Sequence, residues 1–203
     1  DPMSYDKEKI IETIEYNYKI SKRRGTGYGD WHHAYEAVDK RFKNVDYTKV
    51  TKVYIEKLKK FCVDFLRLKK SYEVHFETIN YTANREDSYM EYHNHQTQDF
   101  ACVHYVQAPP GSAPIRFKNQ NDFAPYVRTL SKDLYNMIKA EDSKYSWLFG
   151  HYTIEPEEDE LFIFPAVLFH HVPVSKTKLK KCRISIASNF TIRNIEDNRK
   201  VAL

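Results

Sequence analysis

The chain has 203 residues, 41% of them hydrophobic and 15% aromatic, which is enough for one domain with a substantial core. A charged fraction of 30%, a formal net charge of +4 and a pI near 8.7 suit a soluble protein and are too mild to argue for nucleic acid. No stretch approaches the ~20 apolar residues that a membrane-spanning helix needs, and Asp1-Pro2-Met3-Ser4 begins no basic region with an apolar run behind it. The expectation is a cytoplasmic protein with no signal peptide and no membrane contact.

In chain order, Ile10, Ile11, Ile14 and Tyr18 form an apolar stripe at helical spacing, with Lys and Glu opposite. The segment from Ser21 to Asp30 holds three of the five glycines but lacks the GxxxxGK[ST] spacing of a phosphate loop, so it reads as a surface loop. A second helix is predicted from Asp46 to Lys69, with Val50, Val53, Tyr54, Leu58, Phe61, Phe65 and Leu68 recurring at three and four. From Tyr72 the period becomes two: Glu73, His75, Glu77 and Asn80 alternate against Val74, Phe76 and Ile79, then Tyr89, Glu91 and His93 against Met90 and Tyr92.

Further strands are predicted at Phe100 to Gln107, Ala113 to Lys118, His151 to Ile154, Leu161 to Pro165, Phe169 to Val174 and Cys182 to Ile192. A helical insertion over Phe123 to Ala140 interrupts them. Pro109-Pro110-Gly111-Ser112 and Pro156-Glu157-Glu158-Asp159 are turn sequences, and Asp159 can take the left-handed conformation usually given to glycine. Many short strands behind helices predict an α+β fold with a double-sheet jelly-roll core and supporting N-terminal helices. The predicted organisation is a single domain over 1–203, with helical support at 1–70, the jelly roll at 71–192 carrying the insertion 123–147, and a tail at 193–203.

Cys62, Cys102 and Cys182 are odd in number, widely spaced and set among apolar residues, so they read as reduced, buried thiols. With no CxxC pair, a zinc ribbon or a thioredoxin-like motif is excluded. Lys176, Lys178, Lys180 and Lys181 read as a solvated basic hairpin.

The chemistry concentrates in His93-Asn94-His95 and the remote Phe164-Pro165-Ala166-Val167-Leu168-Phe169-His170, followed by Arg183-Ile184-Ser185. Imidazoles two apart on a strand share a face, and a third from another strand can close a triangle around one ion. Adjacent strand residues face opposite ways, so only one of His170 and His171 can join; the pattern through Val172 favours His170, and a bulge in that strand would reverse the choice. His32, His33, His75 and His151 read as ordinary surface or core histidines.

These motifs, with Cys102-Val103-His104-Tyr105-Val106, carry a resemblance over about Phe76 to Phe190. The region resembles the iron(II)- and 2-oxoglutarate-dependent oxygenases, in particular the prolyl-4-hydroxylase-like branch and its small bacterial and phage relatives with an HxH motif. The resemblance implies a double-stranded β-helix (jelly roll) and Fe(II), 2-oxoglutarate as co-substrate and O2. His93 and His170 would be iron ligands. Arg183 would bind the distal carboxylate, with Tyr105 and Ser185 beside it and Ile115 and Phe117 as pocket wall. The family normally has Asp or Glu two positions after its first histidine, and here that position is His95. A three-histidine site, or Asp99 as the carboxylate with His95 behind it, both stay open, with Glu91 a third candidate.

The implied reaction is hydroxylation of a peptide or protein side chain such as proline, or of a small molecule. Two other readings are a jelly-roll module that binds metal without turnover and a cupin-type enzyme that uses three histidines and no oxoacid. The oligomeric state is open.

Overall fold

The computed structural model describes residues 5–20, 40–68, 72–85, 88–120, 150–175 and 177–195. The glycine-containing segment 21–30, the predicted insertion 123–147, Lys176 and most of the tail lie outside the described residues.

Helix α1 spans Lys7–Ile20 and buries Ile10, Ile14 and Asn17, with Ile11 and Tyr18 packed at the margin. Glu8 in its first turn and Lys19 in its last complement the helix dipole. The polar member of that stripe, Asn17, is fully used. Its amide donates to the Lys43 carbonyl at 2.8 Å and to the Tyr81 hydroxyl at 3.1 Å, and its oxygen accepts the Lys43 N–H at 2.8 Å.

Helix α2 spans Thr48–Asp64 and buries Val50, Tyr54, Leu58 and Cys62, one residue per turn. It ends earlier than the predicted Lys69. The Leu66 N–H turns back to the Phe61 carbonyl at 3.1 Å and the Leu68 N–H to the Cys62 carbonyl at 3.0 Å, around Arg67 at φ +53°. This closure satisfies the terminal carbonyls and turns Phe65 out to solvent, so the apolar period outlasts the helix.

Eight strands follow: β1 Tyr72–Asn84, β2 Met90–His93, β3 Phe100–Gln107, β4 Ile115–Lys118, β5 His151–Ile154, β6 Leu161–Pro165, β7 His170–Val172 and β8 Arg183–Asn194. They form two antiparallel four-stranded sheets, ordered β1-β8-β3-β6 and β2-β7-β4-β5. With the two helices this is the α+β jelly roll expected from the sequence. Among the described residues no helix is long and apolar enough to cross a membrane.

The helices cover one face of the first sheet, where Val50, Tyr54, Tyr81, Ile184 and Ile186 are buried together. Between the sheets lies a second core of Ala101, Tyr105, Ile115, Phe117 and Phe164. A bulge at Glu77 decides which residues of β1 face which core, because Phe76 pairs with Phe190 and Thr78 with Asn189, leaving Glu77 over. Before it, Val74 and Phe76 pack on the helix side; after it, Ile79, Tyr81 and Ala83 do. The same phase shift sends Asn80, Thr82 and Asn84 toward the space between the sheets.

Two turns carry left-handed residues. Asp159 has φ +67°, as its turn sequence allowed. Gly111 has φ +86°, and a Cβ there would lie 2.1 Å from Thr177 Oγ1, so both backbone and space call for glycine. All three cysteines are buried and none is in a disulfide.

Candidate metal and anion site

His93, His95 and His170 converge. Each offers a nitrogen, and these atoms all lie within 4.8 Å of one another. Ring centroids are 4.2 Å apart for His93 and His170, 5.2 Å for His93 and His95, and 5.4 Å for His95 and His170.

His93 and His170 face each other because β2 pairs with β7 at that register. Each points Nδ1 at a carbonyl two residues upstream, Glu91 O and Leu168 O, both at 2.9 Å. A carbonyl only accepts, so the proton sits on Nδ1 and the Nε2 lone pair is free in both rings.

His95 arrives by a different route from the one its spacing predicted. Strand β2 stops at His93, after an extra residue in its register with β7. The His95 N–H then bonds the Ala166 carbonyl at 2.8 Å in the β6–β7 turn. Its side chain therefore reaches the other imidazoles from a loop, not by strand alternation.

Burial is the main reason that His95 and His170 resist protonation. It holds His95 below 6.5, helped by His93, and it takes His170 down to about 4 against the raising effect of its bond to Leu168. Neutral imidazole is the ligand form, so the pocket keeps its nitrogens available.

The same cavity, about 100 Å³, is lined by Arg183, Ser185, Ala187 and Asn189 of β8, Asn80, Thr82 and Asn84 of β1, and Ile115, Phe164 and Val172. Arg183 is 2% exposed. Its guanidinium lies 4.9 Å over the Tyr105 ring and donates a long 3.4 Å bond to Ser185 Oγ, which itself meets Thr82 Oγ1 at 2.7 Å. Among the described residues no carboxylate pairs with it, and Arg183 Nε, the Tyr105 hydroxyl and Asn84 Oδ1 are buried without hydrogen-bond partners. Burial pushes the Tyr105 phenol up, and the adjacent guanidinium partly opposes the rise.

A buried cation without an anion is costly, whereas a bound carboxylate would make a charge-assisted pair in a low-dielectric setting. Three borderline nitrogen donors suit a first-row divalent metal, and the orphaned donors suit a dicarboxylate. The residues present therefore fit an iron ion and an oxoacid side by side.

Other sequence candidates lie elsewhere. The Asp99 carboxylate accepts the Ile192 N–H at 2.7 Å and is not among the converging donors. Glu91 contributes its backbone carbonyl to His93. His171 points away from His170 and stacks on Tyr92 at 4.1 Å. Ile115 lines the cavity, while Phe117 packs edge-on against Phe164 at 4.8 Å and lies 5.8 Å from His170. His75 is an ordinary partner of Glu73, His151 bonds the Tyr92 hydroxyl, and His32 and His33 lie outside the described residues.

Sequence reasoning missed Asn80, Thr82 and Asn84, and Asn189 beside His95. The signal for the β1 residues was present in the shifted alternation around Glu77. Asn189 could have been found by continuing the every-second-residue count from Arg183 and Ser185.

A family model described as "Putative 2OG-Fe(II) oxygenase" matches residues 80–189, more than half of the chain. No curated protein matches the sequence. Among solved structures, AviO1 from Streptomyces viridochromogenes Tue57 is 8% identical, with a TM-score of 0.56 over 94% of this chain and 85% of that one. HygX from Streptomyces hygroscopicus, with nickel and 2-oxoglutarate bound, is 10% identical, with a TM-score of 0.50 over 92% of this chain and 78% of that one. A 2OG-Fe(II) oxygenase family oxidoreductase from Burkholderia pseudomallei is 11% identical with a TM-score of 0.46 over 73% of this chain, which spans 60% of that protein's length. At such identities the likeness to AviO1 and HygX speaks for the fold, and the family match speaks for kinship. The chain belongs to the 2OG-Fe(II) oxygenase family.

Proposed function

We propose that the chain is a non-haem iron(II)- and 2-oxoglutarate-dependent dioxygenase that hydroxylates a C–H bond of a peptide or protein side chain such as proline. The observation that carries this reading is Arg183, a buried guanidinium with no carboxylate partner among the described residues, in the same cavity as three converging imidazoles.

In this reading His93, His95 and His170 hold the iron, and Arg183 pairs with the distal carboxylate of 2-oxoglutarate. Ser185 and Tyr105 offer hydroxyls to the same group. Bound iron with 2-oxoglutarate and O2 would supply oxidative decarboxylation to succinate and carbon dioxide, coupled to C–H hydroxylation. The chain contributes fixed donors and a dry wall. Ile115, Phe164 and Val172 exclude water from the cavity, which strengthens the Arg183 pair, while the Glu91 and Leu168 carbonyls keep two imidazoles in ligating form.

The substrate class rests on the resemblance to the prolyl-4-hydroxylase-like branch. Cytoplasmic residence is part of the proposal, in keeping with three buried cysteines that form no disulfide. Imidazole in the place of a carboxylate removes one negative charge from the ligand set, and that one feature favours the rival readings of a metal-binding module without turnover or a cupin-type enzyme.

Aerobic incubation with iron(II), ascorbate and 2-oxoglutarate, with proline-containing peptides present, tests the three. The proposal expects succinate that depends on 2-oxoglutarate and falls sharply in Arg183→Ala. Metal binding without succinate supports the non-catalytic module. Turnover without an oxoacid, indifferent to Arg183→Ala, supports the cupin-type enzyme.

A further inference from the structure

His95 differs from the other two imidazoles in what its Nδ1 meets. For His93 and His170 that partner is a backbone carbonyl, which can only accept. For His95 it is the side-chain carboxamide of Asn189, with Nδ2 placed 3.2 Å from Nδ1. The same Nδ2 lies 3.1 Å from Thr78 Oγ1.

If the amide nitrogen donates to Nδ1, the neutral ring must carry its proton on Nε2 and presents no lone pair there. A half-turn of the carboxamide exchanges oxygen and nitrogen at almost no change in shape, and the hydrogen-bonding partners decide which orientation is occupied. With oxygen toward His95, it accepts Nδ1–H, and its second lone pair takes the Thr78 hydroxyl proton. With His95 ligating through Nε2, as the carbonyl bonds of His93 and His170 require of those rings, only this orientation leaves three lone pairs for one ion.

We propose that Asn189 is a positioning residue that selects the His95 tautomer, holding Nδ1–H through its carboxamide oxygen so that Nε2 is free to ligate. The inference rests on the reading of the three histidines as metal ligands. It assigns to a side chain on β8 the task that backbone carbonyls perform for His93 and His170. Asn189 suits it because β8 is paired on both sides there, to Thr78 of β1 and Ala101 of β3, so its backbone is fixed. His95 sits beyond the end of β2, held through its N–H by Ala166, and Asn189 adds the hydrogen bond that orients its ring.

The test uses the full chain, cobalt(II) as the metal probe and nitrogen-15 shifts of the histidine rings in the metal-free protein. Wild type should show His95 protonated on Nδ1. Asn189→Ala should shift His95 toward the other tautomer and weaken cobalt binding about 10–100-fold. Asn189→Asp, whose carboxylate also accepts from Nδ1, should restore both to near wild type. His95 protonated on Nε2 in wild type, unchanged cobalt affinity in Asn189→Ala, or Asn189→Asp as weak as Asn189→Ala overturns the inference. His170→Ala separates the two levels. If it too binds cobalt as wild type does, the ligand assignment fails and takes this inference with it. If it alone loses cobalt, only the role of Asn189 is refuted.

Discussion

Opposite faces of the β1-β8-β3-β6 sheet hold two buried polar clusters, one around His104 and one around Arg183. On the helix face, His104 meets the Tyr54 hydroxyl at 2.7 Å through Nδ1 and the Tyr5 hydroxyl at 3.5 Å through Nε2. Tyr5 donates to Asp159 at 2.5 Å, and Lys7 reaches both Glu158 and Asp159 at 2.7 Å. On the cavity face, Arg183, Tyr105 and Asn84 each leave a buried polar atom with no partner among the described residues. A buried group whose partners are present holds the fold, whereas one left incomplete costs stability, and beside three converging imidazoles a bound anion is what would complete it. His104 and His170 make the point within one residue type. Burial takes both to about 4, yet one is closed by two tyrosines and the other turns its free nitrogen to two more imidazoles.

Exchanging the roles of the two faces should have large and distinct effects. His170→Ala removes iron binding in anaerobic calorimetry, while His104→Gln leaves it intact; equal losses would erase the distinction. Arg183→Met should weaken 2-oxoglutarate binding by about 2–5 kcal/mol. The same substitution should raise the melting temperature of the ligand-free protein, because it deletes an uncompensated buried charge. A loss of both affinity and stability would mean that Arg183 is structural.

Smaller effects belong to the helix face. Tyr54→Phe takes from buried His104 its shortest hydrogen bond and should cost about 1–3 kcal/mol in urea unfolding, with cobalt affinity unchanged. The pH dependence has a definite sign. Burial, opposed by Asp159, lowers His104 from 6.5 to about 4, so between those values the unfolded chain binds a proton that the folded chain does not. Its contribution to stability is present above 6.5 and is lost as pH falls from 6.5 toward 4. His104→Gln should reduce the slope of the urea midpoint across that window, leaving the part that His170 contributes, and an unaltered slope would assign the acid sensitivity elsewhere.

Local pattern made much of this legible. The stripe of α1, the break in alternation between Phe76 and Ile79, and the turn at Asp159 are all properties of neighbouring residues. That the three imidazoles and Arg183 would share one cavity was readable from the resemblance carried by their motifs and the order of those motifs along the chain. What escaped the sequence depended on pairing at a distance. Which face of β1 would look into the cavity follows from its register with β8, more than a hundred positions away. The end of α2 follows from the closure at Arg67, although Phe65 and Leu68 prolong the apolar period. His95 kept a spacing that fits a strand, yet its place is set by the Ala166 carbonyl in a remote turn. Asp159 was readable as a turn residue but not as the anchor of Tyr5 and Lys7.

The most direct test of the central claim is an anaerobic titration of the metal-free protein with iron(II) and then 2-oxoglutarate, followed by visible absorption. The account predicts a saturable charge-transfer band that is absent in His170→Ala and needs much more 2-oxoglutarate in Arg183→Met. Iron binding with no band at any 2-oxoglutarate concentration would contradict it.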